Sequence, residues 1–110
     1  MATARRTAAE LGCVTLFKGA GTVCADPDGR ALVNATGNDG LASGGTGDVL
    51  SGMLGAFLAA GSAPLEAAAA AVYYHGRAAD LYAQAHAARS LAAGDLLDYL
   101  PLALAEAGAP

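Results

Sequence analysis

The chain has 110 residues, one domain or part of one, and a chain of this size can bury about two thirds of its unfolded surface. It is 55% hydrophobic, much of that alanine, which favours closely packed helices over a deep aliphatic core. A net charge of −4, no basic cluster and no tryptophan argue against nucleic acid and anionic membranes as partners.

Residues 3–11 are mostly helix formers, and Gly12 is a natural C-terminal stop. Residues 14–17 follow as a short apolar strand expected to be buried. Lys18, Gly19, Ala20 and Gly21 then make a tight turn. A second strand over 22–25 leads into Asp26-Pro27-Asp28-Gly29, a strong turn signal, and 31–34 returns as a third strand. Residues 22–34 are thus predicted to form a β-hairpin. The loop over 35–45 is long for a compact domain, as functional or mobile loops are.

From Val49 onward, Leu50, Met53, Leu54, Phe57 and Leu58 recur at helical spacing, so a helix should begin near Thr46 or Asp48 and stop at Gly61. Ser62 is placed to cap the next helix, with Pro64 in its first turn and Glu66 complementing the dipole. That helix should continue to about His86. Its Ala68, Val72, Gly76 and Ala79 share one face that permits backbone-to-backbone packing. A last helix is expected from Leu96, capped by Asp95 with Asp98 behind it, and Pro101 should kink or restart it. The tail from Gly108 should fray.

A short strand plus a β-hairpin followed by three helices leaves sheet edges exposed, and edges invite pairing. The chain is therefore expected to be the C-terminal part of a larger α/β domain, and a homo-oligomer would cover the sheet. No apolar run reaches the length of a membrane span and no clean signal sequence appears, so a soluble, cytoplasmic protein is expected. Cys13 and Cys24 lack metal-ligand spacing, and the expected state is buried, reduced thiols without a metal site.

The chemistry concentrates around Asp48. Gly44, Gly45 and Gly47 precede it, and glycine lets an anion approach the backbone. A helix begins there, so its unpaired N–H groups and dipole suit a phosphate. A carboxylate in that first turn can take a proton from a hydroxyl that attacks phosphorus. Lys18, the only lysine, ends a strand, where α/β sheets commonly bind ligands. Asn34, Thr36, Asn38 and Asp39 could meet nucleotide or Mg²⁺, or satisfy their own backbone. His75 and His86 are read as ordinary helix or interface histidines, and Arg77 and Asp80 as a surface pair.

The run from Lys18 to Thr22, then Ala25-Asp-Pro-Asp-Gly29, then Asn34 through Gly44-Gly45-Thr46-Gly47-Asp48, resembles the YjeF C-terminal family. Tyr74-His75-Gly76 and the stretch from Asp95 to Pro101 are similar to the same family's helices. These are ADP- or ATP-dependent NAD(P)H-hydrate dehydratases of the ribokinase-like superfamily. The resemblance implies that residues 1–110 form the C-terminal segment of a ribokinase-like three-layer domain. It further implies phosphorylation of the C6 hydroxyl of hydrated NAD(P)H by ADP or ATP, then phosphate elimination. Asp48 would be the base beside the substrate. Gly45, Thr46 and Gly47 would form the anion hole, and Lys18, Gly19, Ala20, Gly21, Thr22 and Gly47 would hold the nucleotide. Mg²⁺ would bridge the phosphates, with no metal ligand assigned in the chain. A ribokinase-like small-molecule kinase and an inactive nucleotide-binding fragment are the alternatives.

Overall fold

The computed structural model describes residues 1–18 and 21–106. Gly19, Ala20 and the tail from residue 107 lie outside the described residues. Among the described residues, no helix is long and apolar enough to cross a membrane.

Helix α1 (Ala2–Leu11) ends where Gly12 takes the left-handed conformation and donates its N–H to Ala8 O at 2.9 Å. Strands β1 (Thr15–Phe17), β2 (Val23–Ala25) and β3 (Ala31–Val33) form an antiparallel sheet in the order β1-β2-β3. The predicted hairpin is present, with Val23 opposite Val33. The first strand is not alone, because Thr15 to Phe17 pair with Ala25 to Val23. It is also less buried than expected, with Phe17 40% exposed. Being antiparallel, β1 removes the parallel-strand argument for Lys18 within these residues.

Asp26 closes the hairpin turn. Its carboxylate accepts from the Asp28 and Arg30 N–H groups, each at 3.0 Å, and from Arg30 Nε at 2.6 Å. Burial works against its ionisation, yet the Arg30 guanidinium and these amides outweigh burial and hold the carboxyl below its ordinary range.

Alternation along β2 assigns the sheet's two faces. Ala25 packs with Ala4 and Ala8 of α1. Cys24 points the other way, against Leu50, Met53, Leu65, Ala68 and Val72 of the helices on the opposite face. The sheet therefore lies between α1 and a helical layer. The two thiols differ accordingly: Cys24 is buried as expected and Cys13 is exposed, because Cys13 follows the α1 stop before β1 begins.

Helix α2 (Thr46–Ala59) ends in a Schellman motif. Gly61 donates to Leu58 O at 3.0 Å and Ser62 to Phe57 O at 3.1 Å. Ser62 thus finishes α2 rather than capping α3 (Pro64–Ala85), whose N-cap is Ala63 without a side-chain bond. Pro64 at the start of α3 has no N–H to satisfy.

The alanine-rich face of α3 is buried between α2 and α4 (Ala93–Glu106). Asp95 lies inside the first turn of α4, and its Oδ2 accepts the Ala92 N–H at 2.8 Å, reaching back across the turn. Pro101 lies within the helix, which runs on to Glu106. Arg77 clamps that end, donating from Nε and Nη2 to the two Glu106 oxygens at 2.7 and 2.8 Å.

Candidate functional site

The start of α2 is fixed by side chains from three directions. Gly45 has φ 88°, a conformation that favours glycine, and a methyl group there would lie 3.1 Å from Ala93 Cβ. Thr46 is buried, and its hydroxyl lies 2.6 Å from Leu41 O and 3.1 Å from Ser43 O, which share its proton. His75 of α3 meets Thr46 O through Nε2 at 2.8 Å. A carbonyl can only accept, so Nε2 carries the proton.

Two donors at this helix end are left over. The N–H groups of Gly47 and Asp48 meet no acceptor among the described residues. With the positive end of the helix dipole, they provide what an anion needs.

A cavity of about 530 Å³ opens beside them, walled by Lys18, Gly21 and Thr22, by the loop from Asn34 to Asp39, and by Thr46, Gly47, Leu50, Val72, His75 and Gly76. A methyl group on Gly47 would lie 3.2 Å from Lys18 Nζ, so the ammonium rests against the first turn of α2. Among the described residues Lys18 makes no ion pair. A cation beside a helix N-terminus is unfavourable by itself, and an anion bound between them would relieve it. Burial lowers the His75 pKa below its ordinary value, and Lys18 adds to the shift; the bond to Thr46 opposes them.

The predicted site residues divide accordingly. Lys18, Gly21, Thr22, Thr46 and Gly47 share the cavity wall. Gly45 caps α2 outside that wall, and Asp48 is exposed in the first turn and also outside it. Gly19 and Ala20 lie outside the described residues. A methyl group on Gly44 would meet nothing within 4 Å, so its glycine is not required by packing within this chain.

The loop residues that could have faced a ligand or their own backbone are tied largely to α3. Asn34 Nδ2 donates to Thr36 O at 3.2 Å and Val72 O at 3.3 Å, while the Thr36 hydroxyl lies 2.9 Å from Tyr73 O and 3.1 Å from Asn34 Oδ1. Asn38 Oδ1 accepts from Gly40 N at 2.9 Å, closing a short turn over Asp39–Ala42. Asp80 accepts the Gly37 N–H and Asn38 Nδ2, each at 3.0 Å. Arg77 and Asp80 therefore do not form the expected pair, because each is engaged by a different element.

His75, by sequence an ordinary helix or interface histidine, lies on the cavity wall and meets Thr46 O. The available signal was a single imidazole on the alanine face of α3. His86, in contrast, stacks on Tyr82 with ring centroids 4.6 Å apart.

A family model described as NAD(P)H-hydrate dehydratase matches residues 1–102. The chain belongs to the NAD(P)H-hydrate dehydratase family. Its fold is ribokinase-like, and the residues here supply a three-stranded antiparallel sheet with its flanking helices.

This dehydratase-family chain is similar to the bifunctional NAD(P)H-hydrate repair enzyme Nnr of Moorella thermoacetica. The two are 46% identical over 101 residues, which cover 92% of this chain and 19% of that protein. It is also similar to the crystal structure of the ADP/ATP-dependent NAD(P)H-hydrate dehydratase from Bacillus subtilis, co-crystallized with ATP/Mg²⁺. That likeness has 43% identity and a TM-score of 0.91, and covers 96% of this chain and 38% of the other. A ribokinase-like superfamily protein from Enterococcus faecalis, 31% identical, superposes with a TM-score of 0.84 over 96% of this chain and 36% of its own. The dehydratase-family chain thus spans between about a fifth and two fifths of the length of these relatives.

Proposed function

We propose that this chain carries the nucleotide and phosphate corner of an ADP- or ATP-dependent (S)-NAD(P)H-hydrate dehydratase, a carbon–oxygen lyase that repairs damaged nicotinamide dinucleotides. The observation that carries the reading is the meeting of Lys18 Nζ with Gly47 at the N-terminus of α2, on the wall of one cavity. The Bacillus subtilis relative's co-crystallization with ATP/Mg²⁺ supports an adenine nucleotide as co-substrate. Its coverage supports reading residues 1–110 as a C-terminal segment of the domain, with further substrate contacts supplied from elsewhere.

In this reading Lys18, the 19–22 segment and Gly47 hold the nucleotide phosphates. Of the predicted anion hole, the Gly47 N–H is the donor left for the transferred phosphoryl group, because the Thr46 N–H is given to Ser43 O at 3.5 Å and Gly45 lies outside the cavity wall. Asp48 takes the proton of the C6 hydroxyl as its oxygen bonds phosphorus and the nucleotide leaves. The C6–O bond then breaks, phosphate departs and a proton is lost from C5, restoring the double bond. Asp48 stands exposed in the first turn of α2, outside the cavity wall of this chain.

No group of three or more His, Cys, Asp or Glu side chains that could hold a metal is assembled among the described residues. Mg²⁺ would arrive with the nucleotide, a reading supported by the Bacillus subtilis relative's co-crystallization with ATP/Mg²⁺. Its contribution when bound would be to neutralise phosphate charge. Exposed Leu32 and Val33 on the edge strand β3 support self-association, and the lack of a spanning helix among the described residues is compatible with a cytoplasmic enzyme.

The test is to give the chain hydrated NADH, ADP and Mg²⁺, following recovery of dihydronicotinamide absorbance alongside ADP calorimetry. Recovery is expected where the chain is joined to the segments that supply the further substrate contacts, and there Asp48→Asn should lower turnover by about 10²–10⁴ while ADP still binds. Unchanged turnover in that variant would sink the base assignment. Phosphorylation of a sugar or vitamin alcohol in place of dehydration would favour a small-molecule kinase. ADP binding without turnover would leave a nucleotide-binding segment.

A further inference from the structure

We infer that His75 is a positioning residue for the anion site, holding the Thr46–Gly47 peptide so that the Gly47 N–H faces the cavity. This inference rests on the anion-site reading above.

The atom that His75 grips is the decisive one. Thr46 O belongs to the same peptide group as the Gly47 N–H, and a trans peptide is planar, with C=O and N–H directed oppositely. Fixing the carbonyl therefore fixes the direction of the N–H. Nε2 reaches Thr46 O at 2.8 Å, while Gly47 lies on the cavity wall beside Lys18 and its N–H meets no acceptor among the described residues.

The local sequence gives this peptide little stiffness of its own. Gly44 and Gly45 precede Thr46 and Gly47 follows it; the helical ladder of α2, which begins at Thr46, orients this peptide, and two tertiary bonds hold it further. One tether is the Thr46 hydroxyl, bound to Leu41 O and Ser43 O. The other is His75, whose own place is set by burial on the alanine face of α3, where it is 7% exposed. A hydrogen bond accepted at the carbonyl also polarises the peptide and makes its N–H a better donor. His75 thus acts through the backbone and needs no contact with the phosphate.

A purely space-filling histidine would be replaceable by any side chain of similar volume. The test uses the ¹⁵N-labelled chain titrated with inorganic pyrophosphate, reading the Gly47 amide shift and the affinity in wild type, His75→Phe and His75→Gln. Wild type is expected to show a downfield Gly47 shift on titration. His75→Phe, which keeps bulk without a donor, should lose that shift and bind roughly 3–10-fold more weakly, the worth of one hydrogen bond. His75→Gln, which keeps a donor, should recover most of both.

A folded His75→Phe chain with an unaltered Gly47 response would overturn the inference and leave the anion site standing. Equal loss in Gln and Phe variants would also overturn it, showing that only ring shape matters. No Gly47 response in wild type would remove the anion-site reading and the inference with it. Should His75→Phe not fold, the wild-type ring ¹⁵N shifts decide: protonated Nε2 is required, and the Nδ1–H tautomer overturns the inference.

Discussion

Gly76 of α3 lies directly against the backbone of Thr36, so closely that a methyl group at position 76 would fall 2.7 Å from the Thr36 carbonyl carbon and 2.8 Å from its oxygen. The loop that walls the cavity is seated on α3 through this missing side chain. Alanine normally gains up to about 1 kcal/mol over glycine inside a helix. Here the clash is with backbone that cannot rotate away, and overpacking of this kind costs about 1–3 kcal/mol. Gly76→Ala should therefore lower stability by roughly 1–2 kcal/mol in thermal or urea denaturation. Gly55→Ala is the control: it is inside α2 with nothing within 4 Å of the added methyl, and it should stabilise. Equal effects of the two would show that Gly76 is not a packing requirement.

Asp80 fastens the same loop one turn further along α3. Replacing it by Ala strands the Gly37 N–H and Asn38 Nδ2, both now bonded to its carboxylate. Each stranded group that stays dry costs about 1–3 kcal/mol, less where water can enter. Asp80→Ala should speed hydrogen exchange at Gly37 well before it unfolds α3, and Asp80→Asn should keep part of the protection. Unchanged exchange at Gly37 would mean that the loop is held without Asp80.

His75 makes stability depend on pH in a defined direction. Its folded pKa lies below the ordinary 6.5, so between the folded midpoint and that value the unfolded chain binds more protons. The contribution is complete above about pH 6.5 and is lost as pH falls through this window. Asp26 and Glu106, held below their ordinary carboxyl values, act at more acid pH and leave the windows separable. Lys18 and the Thr46 carbonyl are the groups that bias His75 electrostatically. Lys18→Met should raise the His75 midpoint in an NMR titration, and a midpoint that stays put would separate the two residues.

Lys18 and Asp48 should divide binding from turnover. Lys18→Met removes the cation beside Gly47 and should weaken ADP or pyrophosphate roughly 10-fold, the charged hydrogen bond being worth about 1.5–3 kcal/mol before solvent screening. Asp48→Asn should leave that affinity intact or slightly improved, since it removes a negative charge beside an anion. Equal loss of affinity in both variants would place Asp48 among the binding groups instead.

The residues themselves determined the order of elements, the hairpin and the start of α2. Asp26-Pro27-Asp28-Gly29 carries its own turn chemistry, and the spacing from Val49 to Leu58 carries its own period. The same local logic assembled most of the cavity's polar wall in advance, from Lys18 to Gly47. Family membership was legible too, because the glycine-rich run into Asp48 is a local motif.

What depended on distant partners was not legible. Asp95 looks like a cap, but the helix begins earlier and its carboxylate reaches back to Ala92. Arg77 and Asp80 have the spacing of a helical pair, yet Glu106 offers Arg77 a two-pronged carboxylate and the loop offers Asp80 two donors. Cys13 and Cys24 are the same residue type beside strands, and only the packing of α1 and the sheet buries one and exposes the other. His75 is the clearest case. Its partner Thr46 is 29 positions away, and no local pattern couples an imidazole on an alanine face to one carbonyl of a glycine-rich turn. The sequence supplied the glycine-rich start of α2, and tertiary packing decided that His75 meets the Thr46 carbonyl there.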